Sequence, residues 1–310
     1  MTSIPTIVCV GTVALDLILV ADRLPAPDER IEATDVSLSG GGNAANAAVA
    51  IARLGIPVEF CGTVGDDRAG DLVVEELASS GVGIRLIERR AGVATAQSAV
   101  LVSRDSGERA IVTRPAAPPP LVPKGFDIVH LDKAGWGAMP PDGIPGSRVS
   151  VDDGNMIPGL DLSVLAWYVP TAAVLRQRFH TSDAVEGARK AQGQGAQTVI
   201  ATEGAAGCFG VDSTGSLHFA PSLPVKPRST LGAGDVFHGA LIAAFALGRP
   251  MGDALRFANV TAALSCRELD GRTGVPGIDE VDRSLATLEK SALTDIDIAL
   301  RFTSQVFESG

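Results

Sequence analysis

Aromatic side chains make up only 4% of this 310-residue chain: ten phenylalanines, two tryptophans and one tyrosine. A core cannot be built around rings, so the 45% of residues that are hydrophobic must supply it mostly as Ala, Val, Leu and Ile. Positive charge is also scarce. Twenty-six Lys and Arg stand against 36 Asp and Glu, for a net charge of −10, and no block of like charges occurs. That excludes a nucleic-acid surface, which needs a basic stripe for the phosphate backbone. It does not exclude a nucleotide, whose phosphates can be met by a few backbone N–H groups. The four cysteines, Cys9, Cys61, Cys208 and Cys266, lie far apart with no CxxC and no metal-ligand spacing. They read as buried thiols in a reducing cytoplasm. No run of about 18 uncharged apolar residues exists, so no membrane span is expected. The N-terminus lacks a basic region and Asp16 interrupts its apolar stretch, so no signal peptide is expected and a cytoplasmic location is.

What is present alternates. Ile7–Val13, Val58–Val64, Asp127–Leu131, Arg148–Asp152, Trp167–Val169 and Gln197–Thr202 read as buried strands. Asn43–Leu54, closed by Gly55, Ala69–Ser80, Ser182–Gln194 and a long apolar stretch ending near Gly248 read as helices. This alternation predicts a parallel sheet covered on both faces, in one unit spanning residues 1–310. Two stretches break the rhythm. Residues 16–38 are half polar and punctuated by Pro25 and Pro27, and residues 94–113 form a hairpin around Arg104–Glu108. Together they predict a small appended sheet that could cover a site as a lid.

Two glycine-rich segments carry chemistry. The first is Ser229-Thr230-Leu231-Gly232-Ala233-Gly234-Asp235, running into the long apolar helix. Its small residues leave backbone N–H groups uncovered at the positive end of a helix dipole, which makes an anion site. Asp235 falls in the first turn, where an acid on its own does no more than stabilise a helix start. The dipole is expected to lower its pKa, leaving a weak base. That suffices for phosphoryl transfer, where positioning and charge stabilisation dominate. The second segment, Gly40-Gly41-Gly42 followed by Asn43-Ala44-Ala45-Asn46, opens an alanine-rich helix. It serves equally as tight helix packing or as a loop whose backbone and Asn46 amide meet a ligand. Walker, dinucleotide-fingerprint and protein-kinase motifs are absent.

In order along the chain, Gly41–Asn46, Gly62-Thr63-Val64-Gly65-Asp66-Asp67 with Gly70, Thr202–Gly207, Ser229–Asp235 and Phe257-Ala258-Asn259 with Ala262–Leu264 resemble the PfkB, or ribokinase-like, carbohydrate kinase family. The resemblance covers about residues 7 to 290 and is nearest in wording to the ketohexokinase and sulfofructose kinase members. It implies a ribokinase-like α/β fold, with a mostly parallel sheet flanked by helices and a β-sheet lid. It implies an ATP-dependent kinase of a hydroxymethyl group on a small sugar, a ketohexose or an acidic derivative. Asp235 would be the base, and the N–H groups of Gly232, Ala233 and Gly234 would stabilise the transferring phosphoryl group. Thr202, Gly204, Gly207 and Asn259 would line ATP, and Asp16, Gly41, Gly42 and Asn46 would hold the sugar. Mg²⁺ would accompany ATP rather than occupy a protein cage, and lids of this family pair into homodimers.

Three positions depart from the family. Ser229 stands where an acid helps hold an activating monovalent cation. The N-x-x-E motif has no clear match, Val169–Ala172 standing in its place, which turns attention to Asp152 or Asp153 for the metal. Ala14 replaces an asparagine that holds ribose. The alternatives are a degenerate member that binds without turnover and a nucleoside kinase; the latter needs a stacking surface, and the lid segments contain no Phe, Tyr or Trp. Arg30, Arg114 and Lys133 are the cations that could read an acidic sugar.

Overall fold

A computed structural model describes residues 4–106 and 108–290. In chain order the strands and helices are β1 (Ile7–Val10), β2 (Ala14–Ala21), β3 (Asp35–Gly41), α1 (Asn43–Arg53), β4 (Glu59–Gly65), α2 (Arg68–Ser79), β5 (Gly83–Arg90), β6 (Ala96–Ser103), β7 (Arg109–Arg114) and β8 (Ile128–Leu131). Then follow α3 (Lys133–Trp136), β9 (Arg148–Asp153), β10 (Trp167–Pro170), α4 (Ala172–Phe179), α5 (Ala184–Gly193), β11 (Thr198–Thr202), β12 (Cys208–Val211), β13 (Leu217–Ala220), α6 (Ala233–Ala246), α7 (Met251–Ser265) and α8 (Ile278–Lys290).

The large sheet runs β13-β12-β11-β10-β9-β8-β1-β4-β5. It is parallel except for the antiparallel pairs β11–β12 and β12–β13. Its inner strands are buried on both faces, and the two-residue pleat divides them between two cores. In β1, Ile7 and Cys9 join the core under α1, α6 and α7, while Val8 and Val10 join the core under α4 and α5. In β10, Trp167 and Val169 face the first core and Tyr168 the second. Alanines let the helices approach closely: Ala44, Ala47 and Ala48 of α1 meet Ala240, Ala243 and Ala244 of α6 in the first core. All four cysteines are buried and free.

The short carboxylates start the helices. Asp67 caps α2 by accepting the Gly70 N–H at 2.8 Å, and Asp132 caps α3 by accepting the Gly135 N–H at 2.9 Å. Asp132 also accepts the Thr12 N–H at 2.7 Å, which ties the end of β1 to the end of β8. The C-terminal ends of the parallel strands therefore converge on one edge, where open α/β sheets bind ligands.

The two stretches that break the alternation form one four-stranded sheet, β3-β2-β6-β7. It has a small core of its own, with Ile18, Val20, Val100 and Val102 against Leu269. The structure differs from expectation at the triple glycine. Gly40 and Gly41 are strand residues of β3, and Gly42 alone, at φ 97°, leads into α1. Six elements, β5, α3, α4, β12, β13 and α8, are present that the sequence reading did not name. The hairpin residue Gly107 lies outside the described residues.

Candidate active site

The glycine loop before α6 closes one wall of a cavity of about 400 Å³. Gly232 caps α6 at φ 76°, in the left-handed region, and a Cβ there would sit 2.5 Å from the Gly271 Cα. Only glycine lets the loop turn this tightly against its neighbour. Asp235 follows in the first turn and lines the cavity with Gly232, Gly271 and Asn46. The small sheet forms the opposite wall with Ala14, Asp16, Ile18, Ser98, Val100, Ile111, Thr113 and Arg114.

Asp235 accepts a hydrogen bond at Oδ2 from the Asn46 Nδ2 at 2.8 Å. Its carboxyl is pushed up to about 7, first by desolvation on the cavity floor and then by the charge of Asp152; Asn46 and His238 pull it back only in part. This corrects the expectation of a depressed pKa. Burial and the nearby like charge of Asp152 both favour the neutral carboxyl and set the direction of the shift.

Beneath Asp235, one turn along α6, His238 Nε2 meets Asp152 Oδ1 at 3.2 Å in a buried pair. Asn43 donates to the other oxygen of Asp152 at 3.2 Å. Burial works against charge on both partners, yet the pairing wins, raising the His238 pKa and holding Asp152 well below the usual carboxylate range. The His130 ring lies 5.3 Å from that of His238, and burial holds its pKa down at about 3. Asp153 is committed elsewhere, accepting from the Tyr168 hydroxyl at 2.6 Å and from Arg178 Nη2 at 2.7 Å.

Asp16 has one unpaired oxygen. Its Oδ1 is buried without a hydrogen-bond partner among the described residues. Burial, more than any neighbour, raises its pKa, while Ser98 and Arg272 oppose the rise. An unpartnered acceptor on a residue that lines a polar cavity is a candidate partner for a donor from a ligand.

Of the residues singled out by sequence, Asp16, Gly42, Asn46, Gly232 and Asp235 line this cavity. Gly41, Ala233 and Gly234 do not. Gly41 stands behind Asp16, where a Cβ would meet its Oδ2 at 1.9 Å. The Ala233 N–H donates to the Thr230 carbonyl at 3.3 Å. Thr202, Gly204, Gly207 and Asn259 gather apart from the cavity, around the ends of β11 to β13. Asn259 turns its amide to the Ala220 and Pro221 carbonyls at 2.9 and 3.3 Å. Of the three candidate cations, Arg114 lines the cavity, while Arg30 and Lys133 are exposed outside it. Sequence reasoning missed Arg272, Glu76 and the Asp152–His238 pair, because no local motif marks a charge that is partnered from a distant segment.

The pfkB family carbohydrate kinase model matches residues 5–134 and 169–277. The ribokinase of Bacillus subtilis (strain 168) is 27% identical over 296 residues, covering 90% of this chain and 99% of that protein. The ketohexokinase of Mus musculus is 28% identical over 301 residues, covering 88% and 98%. In fold, the chain is similar to the ribokinase of Thermotoga maritima, with a TM-score of 0.77 at 24% identity over 91% of this chain and 99% of that one. It is similar likewise to Arabidopsis thaliana ribokinase complexed with ribose and ATP, with a TM-score of 0.76 at 24% identity over 92% and 99%. The two-faced parallel sheet with its smaller companion is thus the ribokinase-like fold, and since the family model spans well over half its length, the chain belongs to the pfkB family of carbohydrate kinases.

Proposed function

We propose that this kinase transfers the γ-phosphoryl group of ATP to a hydroxymethyl group of a small sugar held between Asp16 and Asp235. The observation that carries this reading is that both carboxylates line one cavity, Asp16 with an unpartnered oxygen and Asp235 at the mouth of the glycine loop. Asp16 accepts hydroxyls of the sugar, helped by Asn46 and by the backbone at Gly42, while Gly41, behind Asp16, leaves room for its carboxylate. Asp235 takes the proton of the attacking hydroxyl as its oxygen bonds to the γ-phosphorus and the bond to the β–γ bridging oxygen breaks, releasing ADP. A carboxyl pushed up to about 7 is a stronger base than an ordinary aspartate and is matched to neutral pH. The N–H groups of Gly232 and Gly234 at the start of α6, joined by that of Ala233 once it leaves the Thr230 carbonyl, stabilise the charge on the transferring group. Thr202, Gly204, Gly207 and Asn259 flank the nucleotide at the β11–β13 edge.

Mg²⁺ fits as an ion carried by the ATP phosphates, whose charge it would neutralise. Among the described residues no three acids, His or Cys are grouped to hold a metal, and both Asp152 and Asp153 have partners of their own.

The described cavity lining contains no Phe, Tyr or Trp, which favours a sugar over a nucleoside base. Our first choice is a ketohexose or an acidic derivative, with any anionic group towards Arg114 and away from Asp16. Copies of the chain pair through the outer face of the small sheet, where Leu17, Val36, Leu38 and Val112 are exposed.

The test is ADP release on fructose, ribose and their anionic relatives, with wild type, Asp235→Asn and Arg114→Ala. Turnover on a sugar that Asp235→Asn abolishes supports the kinase reading; wild type inert on every sugar supports a degenerate member. Anionic sugars no better than neutral ones, or an Arg114→Ala loss equal on both, removes the charge-reading part alone.

A further inference from the structure

Arg272 lies in the loop after α7, only 2% exposed, and is not among the cavity-lining residues. Its guanidinium makes three contacts at once. Nε donates to the Asn46 Oδ1 at 2.8 Å, Nη2 donates to the Gly41 carbonyl at 2.9 Å, and Nη1 faces Glu76 Oε1 at 3.2 Å. Glu76, on α2, also accepts the Gly40 N–H at 2.6 Å. The guanidinium passes so close to β3 that a Cβ on Gly40 would lie 1.9 Å from Nη1. The loop carrying Arg272 is folded by Asp270, whose carboxylate accepts the backbone N–H groups of Arg272 and Thr273 at 2.8 and 2.7 Å. Nothing about Arg272 is left free to swing.

This geometry decides the orientation of an amide. A guanidinium can only donate and an ionised carboxylate can only accept. Asn46 stands between the two, so its oxygen must face Arg272 and its NH₂ must face Asp235. A flipped amide would set oxygen against the carboxylate and NH₂ against the guanidinium, losing both bonds.

We infer that Arg272 is a positioning residue for the general base, holding the Asn46 amide so that its NH₂ grips one oxygen of Asp235 and leaves the other for the sugar hydroxyl. This rests on the reading of Asp235 as base. The Asn46 bond favours the ionised form of Asp235, together with His238 on α6. Against it stand burial, Asp152 at the end of β9 and Asp132 after β8. Arg272 itself is faced by Glu76 of α2, Asp16 of β2 and Asp270 of its own loop.

The experiment follows the Asp235 carboxyl directly, by ¹³C NMR titration of full-length protein labelled at aspartate, with the resonance assigned by its loss in Asp235→Asn. Asn46→Ala should raise the midpoint by about one unit, the usual size for a lost hydrogen bond to the charged form. Arg272→Met paired with Glu76→Gln, which removes both members of the Arg272–Glu76 ion pair together, should raise it comparably, and adding Asn46→Ala to that pair should raise it no further. If the pair does not fold, Arg272→Lys is read in the same way, since one ammonium keeps the charge but cannot hold three acceptors in a fixed fork. A folded Arg272 variant with the wild-type midpoint, or shifts that add in full, overturns the inference and leaves Arg272 a structural brace. The titration needs no substrate. Wild-type turnover by Asp235→Asn on fructose or ribose would instead strike the base reading, whatever the titration shows.

Discussion

Asn46 of α1 and Asp235 of α6 meet at 2.8 Å although 189 residues separate them. The contact joins the two glycine-rich segments, the start of α1 and the loop before α6, at one cavity. One oxygen of Asp235 is held by the amide and the other is left for chemistry, so the carboxylate is oriented before a substrate arrives.

Asp235→Asn is nearly isosteric and removes the proton acceptor, so kcat should fall by about 10²–10⁴-fold. Stability should move the other way. An acid whose folded pKa, here about 7, lies above its ordinary value of 3.8 costs stability as pH rises through that window, and the cost is complete above the folded value. The variant's Tm at pH 8 should equal or exceed that of wild type. Turnover within a few fold of wild type, or a large loss of Tm, contradicts the assignment.

The acid limb of the kcat/KM profile should fall near pH 7. Below it the free enzyme holds Asp235 protonated and unable to accept the hydroxyl proton; above it the base is ionised. A limb between about 4 and 5, the range of ordinary carboxylates, would show that burial and Asp152 do not govern the base.

Activity should depend weakly on K⁺. Ser229 is buried and its hydroxyl accepts the Leu231 N–H at 3.1 Å, so a neutral turn-former stands where a carboxylate would hold a cation. Initial rates are compared with K⁺ replaced by a bulky organic cation at fixed ionic strength. A rise of about tenfold on adding K⁺, worth about 1.4 kcal/mol in the barrier, would mean that other groups make the site.

Leu38→Glu should convert a dimer to a monomer without loss of fold. Leu38 is 58% exposed and sits opposite Leu17 in the β2–β3 register, at the centre of the outer apolar face of the small sheet. A charge there opposes burial against a second copy. Light scattering after size exclusion reads the mass; a monomeric wild type, or a variant that stays dimeric, rejects pairing through this face.

Much of this protein is written locally. The two-faced strands from β1 to β11 are apolar runs, the glycine loops mark themselves by composition, and Asp235 and Asn46 stand at fixed steps inside them. The elements that escaped notice lack such marks. β5 carries Glu88, Arg89 and Arg90 on a sheet edge, and β12 leads into β13, a half-buried strand at the other edge. A turn signal was present between them, at Asp212–Gly215, and could have identified that hairpin. What only the tertiary structure decided is the electrostatics. Arg272 reaches Asn46 across 226 residues and Glu76 across 196. The pKa of Asp235 is set by desolvation and by Asp152, neither of which lies in its helix. A residue's type and spacing show what its side chain can do. Whether a carboxylate is a weak or a strong base depends on which distant charges folding brings beside it and how much water folding takes away, because Coulomb energy and solvation act through space and not along the chain.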